Sequence, residues 1–298
     1  MKEEYRNLVR KKVDGFEWLL DVSDGGIGRT LASQDTSGVG TDFAREKMFM
    51  YLMNSVIKEG MTCIDIGANI GYATLVMARN SKNPQKIYAI EPDKHNYKFL
   101  KANLKINGFE KVKMGKYIIS NETGKKDFWI ARHPNLNSVT KTKHSTHKET
   151  VDCITLENMC NQLGIYPNFL KMDIEGHEVD VFDGAYNFFK ENDGETHILL
   201  EVHPKMYSKK NDFAKTLRNY LKIGFNISKL IGTPVSNPAP FFKKGYMPSK
   251  EVASDGWVRS LYENVDNEHA IDICTNLHEE VPGGKAVRAI LVSRKGSV

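Results

Sequence analysis

The sequence lacks the features that define several classes of protein. Its four cysteines form no CxxC pair, which argues against a cysteine zinc site and predicts a reducing, cytoplasmic location. No run approaches the ~18 apolar residues that a membrane span needs. The charged N-terminus is followed by no apolar stretch, so we expect no secretory signal. With no internal repeat or low-complexity tract either, the sequence predicts a soluble globular protein.

The charge balance is only mildly basic. Forty-two basic residues against thirty-seven acidic ones leave a net charge of +5 over 298 residues. Such an excess suits an anionic substrate or a nucleic acid, but lysines scattered over solvated helices would produce the same number. Charge alone therefore leaves the class of partner open.

Apolar strand patterns alternate with helical patterns along most of the chain. The predicted strands are residues 62–66, 86–91, 112–120, 168–174, 196–202, 225–231 and 286–294. This order predicts an α/β fold with a doubly wound, seven-stranded, mainly parallel sheet of the Rossmann-like kind.

The remaining segments complete the predicted domain organisation. Residues 1–41 form a lead-in of strands and turns, and residues 42–298 form one domain whose first helix begins near Asp42. An irregular, substrate-side insertion at about 233–285 precedes the last strand, and the polar, basic segment 132–150 is expected to be a loop.

The stretch "CIDIGANIGYAT" follows the pattern of a strand that ends in a ligand-binding turn. It is not a dinucleotide fingerprint, because Asn69 and Tyr72 stand where the second and third glycines would be. Its spacing is instead D-x-G-x-N-x-G, with Asp65, Gly67 and Gly71. A carboxylate before the turn repels a pyrophosphate and favours a ligand that carries an ammonium group.

A second acid strengthens this interpretation. Glu91 lies twenty residues after Gly71, at the end of the next predicted strand. An acid at that place can accept hydrogen bonds from both hydroxyls of a ribose, although a solvated acid at a strand end is the plainer explanation for Glu91 alone. Loop and acid together predict S-adenosylmethionine as the cofactor.

Several longer motifs carry a family resemblance. The segments "GMTCIDIGANIGYATLVMA", "YAIEPDKHNYKFLKANLKING", "VDCITLENM", "NFLKMDIEGHEVDVFDGA" and "ILLEVHP" closely resemble the FkbM-type S-adenosylmethionine-dependent methyltransferases, over roughly residues 20–232. The resemblance implies a seven-stranded methyltransferase fold and methylation of hydroxyl oxygens, commonly on sugars or polyketides. Carried over by motif, the loop Asp65–Gly71 and Glu91 would bind the cofactor.

The candidate catalytic residues follow the fourth and fifth strands. Asp173, Glu201 and His203 are expected to converge there, since residues 201 and 203 project on the same side of their strand. Methyl transfer to an alcohol needs a group that takes the proton, and His203 is the predicted base because its ordinary pKa near 6.5 suits neutral pH. A histidine that caps the turn before Pro204 is the alternative.

The same residues leave a metal site open. Asp173 and Glu201 with His203 could bind Mg²⁺ and lower the pKa of the acceptor. Glu175 and Glu178 are expected in the first turn of the following helix, where negative charge interacts favourably with the helix dipole.

Three functions compete at this point. The leading hypothesis is an O-methyltransferase acting on a carbohydrate or glycan hydroxyl, for which Phe241, Phe242, Tyr246 and Trp257 supply candidate aromatic faces. An RNA 2′-O-methyltransferase fits the net charge, but no RNA-binding module is visible. A binding or scaffolding protein that keeps the cofactor pocket without turnover is the third.

Overall fold

The structure, a computed structural model, describes residues 7–23, 26–33, 46–234, 238–254 and 257–296. The strands are β1 Leu8–Val13, β2 Phe16–Asp21, β3 Cys63–Ile66, β4 Ile87–Ile90, β5 Lys113–Gly115, β6 Ile118–Ser120, β7 Gly124–Ala131, β8 Ser145–Thr155, β9 Phe169–Met172, β10 Thr196–Glu201, β11 Asn226–Pro234, β12 Lys250–Ser254, β13 Trp257–Glu263 and β14 Val287–Arg294. The helices are α1 Ile27–Ser33, α2 Lys47–Val56, α3 Tyr72–Ser81, α4 Lys94–Ile106, α5 Leu156–Leu163, α6 Glu178–Glu191, α7 Phe213–Lys222, α8 Ala239–Phe242 and α9 Asn267–Thr275.

Among the described residues, the main sheet has nine strands in the order β12-β13-β11-β14-β10-β9-β3-β4-β5. Strands β10, β9, β3, β4 and β5 pair in parallel, whereas every pair from β10 through β14, β11 and β13 to β12 is antiparallel. The expectation of a seven-stranded, mainly parallel sheet is corrected to a nine-stranded mixed one. All seven predicted strand segments contribute to it, and β12 and β13 extend its edge.

The two additional strands come from the insertion that was expected to be irregular. Both mix charged with apolar residues, so neither shows the clean alternation that indicates a half-buried strand. Strand β13 pairs with β11, and β12 pairs with β13, which makes both part of the sheet. The predicted boundary at residues 41 and 42, with the helix start at Asp42, lies outside the described residues.

A separate three-stranded sheet includes the last part of the predicted loop 132–150, because β8 begins at Ser145. Its order is β6-β8-β7, with β8 parallel to β6 and antiparallel to β7. The segment 112–120, predicted as one strand, divides into β5 in the main sheet and β6 in this smaller one. Strand β8 is exposed along most of its length, so its sequence carries no apolar alternation. Backbone hydrogen bonds to β7 hold β8 in the sheet, and burial of an apolar face does not.

Helices cover both faces of the main sheet, as a doubly wound fold requires. Buried side chains of α5, α6, α7 and α9 pack in one core, and those of α2, α3 and α4 pack in the other. The β1–β2 hairpin joins the second core through Trp18, whose fully buried ring stacks on Tyr72 with centroids 5.6 Å apart. Among the described residues, no helix is long and apolar enough to cross a membrane.

Candidate functional site

A cavity of about 250 Å³ lies at the carboxyl ends of β3, β4, β9 and β10. This is the edge at which doubly wound sheets bind their ligands. Five of the predicted site residues form part of its wall, namely Gly67, Asn69, Glu91, Asp173 and Glu201. The others, Asp65, Gly71 and His203, do not line it.

The loop after β3 adopts left-handed backbone conformations at positions occupied by glycine and asparagine, which tolerate them. Gly67, Asn69 and Gly71 have φ angles of +78°, +50° and +102°. A Cβ atom on Gly67 would stand 2.3 Å from the carbonyl oxygen of Asp173, so only glycine fits at this position. Gly71 is the residue before α3, and its carbonyl accepts the first helical hydrogen bond from the N–H of Leu75.

Asp65 lies behind this loop and is fully buried. The hydroxyl of Thr74 donates to its Oδ2 at 2.6 Å, and the ammonium of Lys171 lies 3.7 Å from its Oδ1. Burial raises the pKa of Asp65, and Lys171 opposes that effect. The ammonium group beside Asp65, which the sequence analysis attributed to the ligand, is thus that of Lys171. Asp65 therefore balances a positive charge of the protein itself.

Glu91 is the buried acid of the wall, with 4% of its surface exposed. Its Oε2 accepts the backbone N–H of Asn69 at 2.7 Å and its Oε1 accepts that of Asp93 at 2.9 Å. Burial raises the pKa of Glu91 to about 8, although both amides act to lower it. Each carboxylate oxygen keeps a second acceptor position.

Lys171 is a further residue of the wall that was not among the predicted site residues. Its Nζ lies 3.8 Å from Oδ2 of Asp173 and donates to the carbonyl of Gly67 at 3.4 Å. Burial alone would lower its pKa, but Asp65 and Asp173 raise it, so the ammonium is held in its charged form. The sequence signal that could have identified this residue is a lysine within an otherwise apolar strand. A lysine buried in such a strand needs an ion-pair partner.

The structure brings the three candidate catalytic residues together. One potential ligand atom from each of Asp173, Glu201 and His203 lies within 4.8 Å of the other two. His203, however, stands behind the wall, where its Nε2 lies 3.5 Å from Oε2 of Glu175 and 4.0 Å from Oε1 of Glu201. Its Nδ1 lies 2.8 Å from Oε1 of Glu178.

These contacts correct the reason for choosing His203 as the base. Burial would lower its pKa, but the carboxylates of Glu178, Glu201 and Glu175 raise it to about 9. The imidazole is therefore protonated at neutral pH, and the ordinary pKa near 6.5 does not apply. The expected helix position of Glu175 is also corrected, because α6 begins at Glu178 and Glu175 lies before it.

The acids of the site are already balanced by cations. Lys285 contacts Oε1 of Glu201 at 3.0 Å and Arg288 contacts its Oε2 at 3.2 Å. Burial acts to raise the pKa of Glu201, but these two cations and His203 hold it at about 2. Lys171 lies beside Asp173, and His203 is itself protonated, so each member of the candidate metal cluster either is paired with a cation or carries a positive charge, and the three residues do not fit Mg²⁺.

The aromatic wall differs from the one expected. Tyr72, Tyr117 and Phe128 line the cavity, together with His177. None of the four aromatic residues suggested in the insertion does so: Phe241, Phe242, Tyr246 and Trp257. The segment before β8 supplies polar groups in their place, including Asn135, Asn137 and Ser138.

Fold and site define an α/β protein whose ligand cavity lies at the carboxyl edge of its parallel strands. Residues 65–227 match the family model for the methyltransferase FkbM domain. The chain therefore belongs to the FkbM methyltransferase family.

One curated relative is an uncharacterized protein of Methanocaldococcus jannaschii, 32% identical over 74 residues. That match covers 25% of this chain and 27% of the relative.

Solved structures of methyltransferases are similar at low identity. The methyltransferase FkbM from Methylobacillus flagellatus KT is 18% identical, with 70% of this chain and 44% of that chain covered and a TM-score of 0.39. TYW2 of M. jannaschii in complex with AdoMet is 17% identical, with 87% of each chain covered and a TM-score of 0.40. A SAM-dependent O-methyltransferase from Thermotoga maritima is 16% identical, with 97% and 78% covered and a TM-score of 0.40.

Proposed function

We propose that this protein transfers the methyl group of S-adenosylmethionine to a hydroxyl oxygen of a sugar or glycan. The methyltransferase domain supports the reaction type. One observation carries the proposal: a single cavity joins the glycine loop and Glu91 on one side to the acids Asp173, Glu175 and Glu201 on the other. A cofactor and a hydroxyl can meet in such a cavity.

The residues present fit the cofactor. Gly67 and Asn69 bring backbone to the cavity wall in a conformation that a side chain at Gly67 would prevent. Glu91 offers carboxylate oxygens for the ribose hydroxyls, while Asp65 and Gly71 hold the loop from behind. The cofactor, when bound, supplies a methyl group activated by its positively charged sulfur.

Two amides of the wall favour a hydroxyl-rich acceptor. Asn135 and Asn137 both line the cavity. Within the described residues, Oδ1 of Asn135 and Nδ2 of Asn137 are buried without a hydrogen-bond partner. An acceptor and a donor that lack partners suit sugar hydroxyls, which donate and accept in turn, and Tyr117 and Phe128 add aromatic surface.

The test is a turnover assay with purified protein and S-adenosylmethionine. Neutral sugars, nucleotide sugars and capped RNA are offered as acceptors, and product mass is measured with and without exhaustive chelation. We expect methylation of a sugar hydroxyl that chelation leaves unchanged. Turnover with capped RNA alone would establish the RNA reaction instead. Cofactor binding without turnover on any acceptor would favour the scaffold.

We also propose that the protein acts in the cytoplasm. The four cysteines Cys63, Cys153, Cys160 and Cys274 are free and buried, which suits a reducing compartment.

A further inference from the structure

Glu175 stands at a strained position of the cavity wall. It lies between β9 and α6 with a φ of +51°, a left-handed conformation that is uncommon for residues other than glycine. The hydroxyl of Ser138 donates to its carbonyl at 3.0 Å, and the next residue, Gly176, is also left-handed. The Glu175 side chain is 31% exposed, so a ligand in the cavity can reach its carboxylate.

The half-buried His203 and the fully buried Glu178 lie behind Glu175. Nε2 of His203 lies 3.5 Å from the Glu175 carboxylate, and Nδ1 of His203 lies 2.8 Å from Oε1 of Glu178. Glu178 is fully buried, and its Oε1 also accepts the N–H of Gly176 at 3.1 Å. The imidazole ring is therefore held from behind and directs its second N–H towards Glu175.

The other acids of the wall are engaged. Both oxygens of Glu201 contact cations, Lys285 and Arg288. Asp173 faces the ammonium of Lys171 at 3.8 Å. Glu175 differs from these two acids. Within the described residues, His203 is its one ion-pair partner, and its side chain still lines the cavity.

We propose that Glu175, and not His203, receives the proton of the acceptor hydroxyl, with His203 as the positioning residue that Glu178 holds. This inference rests on the proposed function. The acceptor oxygen forms a bond to the methyl carbon, the carbon–sulfur bond breaks with its electron pair remaining on sulfur, and the hydroxyl proton moves to the Glu175 carboxylate. The imidazolium of His203 stays protonated throughout and holds the carboxylate by their ion pair, with Nε2 at 3.5 Å from Oε2.

The charges that face Glu175 agree with this assignment. Burial raises its pKa to about 7, with His203 lowering it and Asp173, Glu201 and Glu178 raising it. A general base works best when its pKa is close to the operating pH. The carboxylate is thus available at neutral pH without being too weak a base.

The experiment compares Glu175→Gln with Glu191→Gln, a change of the same kind at the exposed far end of α6, about 20 Å along that helix. We expect Glu175→Gln to lower kcat by about a hundredfold to ten-thousandfold. The dissociation constant for S-adenosylhomocysteine, measured by calorimetry, should stay within about twofold of the wild type in both variants, which also shows that they fold. Added formate should restore part of kcat to Glu175→Ala.

His203→Gln tests the positioning role. Since His203 lowers the pKa of Glu175, its removal should move the acid limb of the kcat profile to higher pH, which a purely structural role would not do. A Glu175→Gln variant that keeps a third or more of kcat, beside an active wild type, would overturn this inference and leave the function standing. A wild type that methylates none of the acceptors would overturn both.

Discussion

At the scale of the residue, we expect the protonation state of Glu91 to control the affinity for the cofactor. Burial raises its pKa to about 8, so the free protein holds a proton there through the neutral range. Ribose hydroxyls donate to the ionised carboxylate, and binding must release that proton. Affinity for S-adenosylhomocysteine should therefore rise as pH increases from about 6 to about 8 and level off above it. Calorimetry across this range measures it.

The matched variant for this prediction is Glu91→Gln, which keeps the shape of the side chain. It should lower the affinity by about 1.5–3 kcal/mol at the upper end of the range, the usual loss of hydrogen bonds to a charged group. Its affinity should also lose the increase with pH. Parallel curves for the wild type and the variant would show that Glu91 does not contact the ribose.

The sequence predicted which residues belong to the site where a residue type was unusual for its position. It did not predict properties, such as a pKa, that depend on neighbouring side chains. Glu91 and Asp173 reach the cavity wall, as an acid at the end of a strand suggested. The pKa of His203 was not predictable, because Glu178 and Glu175 come from a different element than His203. A motif gives the residue, but only the fold gives the charges around it.

At the scale of the element, the loop between β3 and α3 depends on a close approach between backbones. Gly67→Ala would place a methyl group 2.3 Å from the carbonyl of Asp173, in addition to the left-handed φ. Gly60→Ala is the control, because Gly60 has a similar φ of +81° and no neighbouring atom within 4 Å of the added Cβ. The control should lose about 1–2 kcal/mol of unfolding free energy from the backbone conformation alone.

We expect Gly67→Ala to lose more stability than Gly60→Ala in urea unfolding, and to lose affinity for S-adenosylhomocysteine, which the control keeps. The difference between the two variants measures the collision with Asp173, since the conformational cost is shared. Equal losses in both variants would mean that the loop relaxes and that close packing against β9 does not shape the site.

Elements with strong periodicity were predicted well, and elements formed by pairing alone were not. The strands β3, β4, β9 and β10 are built around short buried apolar runs, with Asp65 and Lys171 as charged exceptions, and these runs predict the strands directly. Strand β8 is exposed, and β12 and β13 have mixed composition, so their stability depends on partners distant in the sequence. Local pattern carries no information about such partners.

At the scale of the whole molecule, the net charge of +5 and the charge of the cavity point in opposite directions. On the wall, the acids Glu46, Asp173 and Glu201 stand against the cations Lys171 and Arg288. The raised pKa values of Glu91 and Glu175, about 8 and about 7, keep these two acids wholly or partly protonated at neutral pH. The wall therefore has no excess of positive charge that would attract a phosphate backbone, whereas a neutral sugar needs none. The basic residues responsible for the net charge are therefore not gathered at the cavity.

This distribution leads to a prediction about salt. For a neutral sugar, the Michaelis constant of the acceptor should change less than about threefold between about 50 mM and about 200 mM salt, because no phosphate contacts release counterions. An RNA held by six or more phosphate contacts would lose about a thousandfold in affinity over the same range. The control is the double variant Lys141→Gln, Lys143→Gln, which removes two exposed cations whose side chains do not line the cavity. It should leave the sugar reaction within about twofold of the wild type, as expected for screened surface charges. Turnover that falls steeply with salt, and falls again in the double variant, would mean that the acceptor is a polyanion and that the sugar hypothesis is wrong.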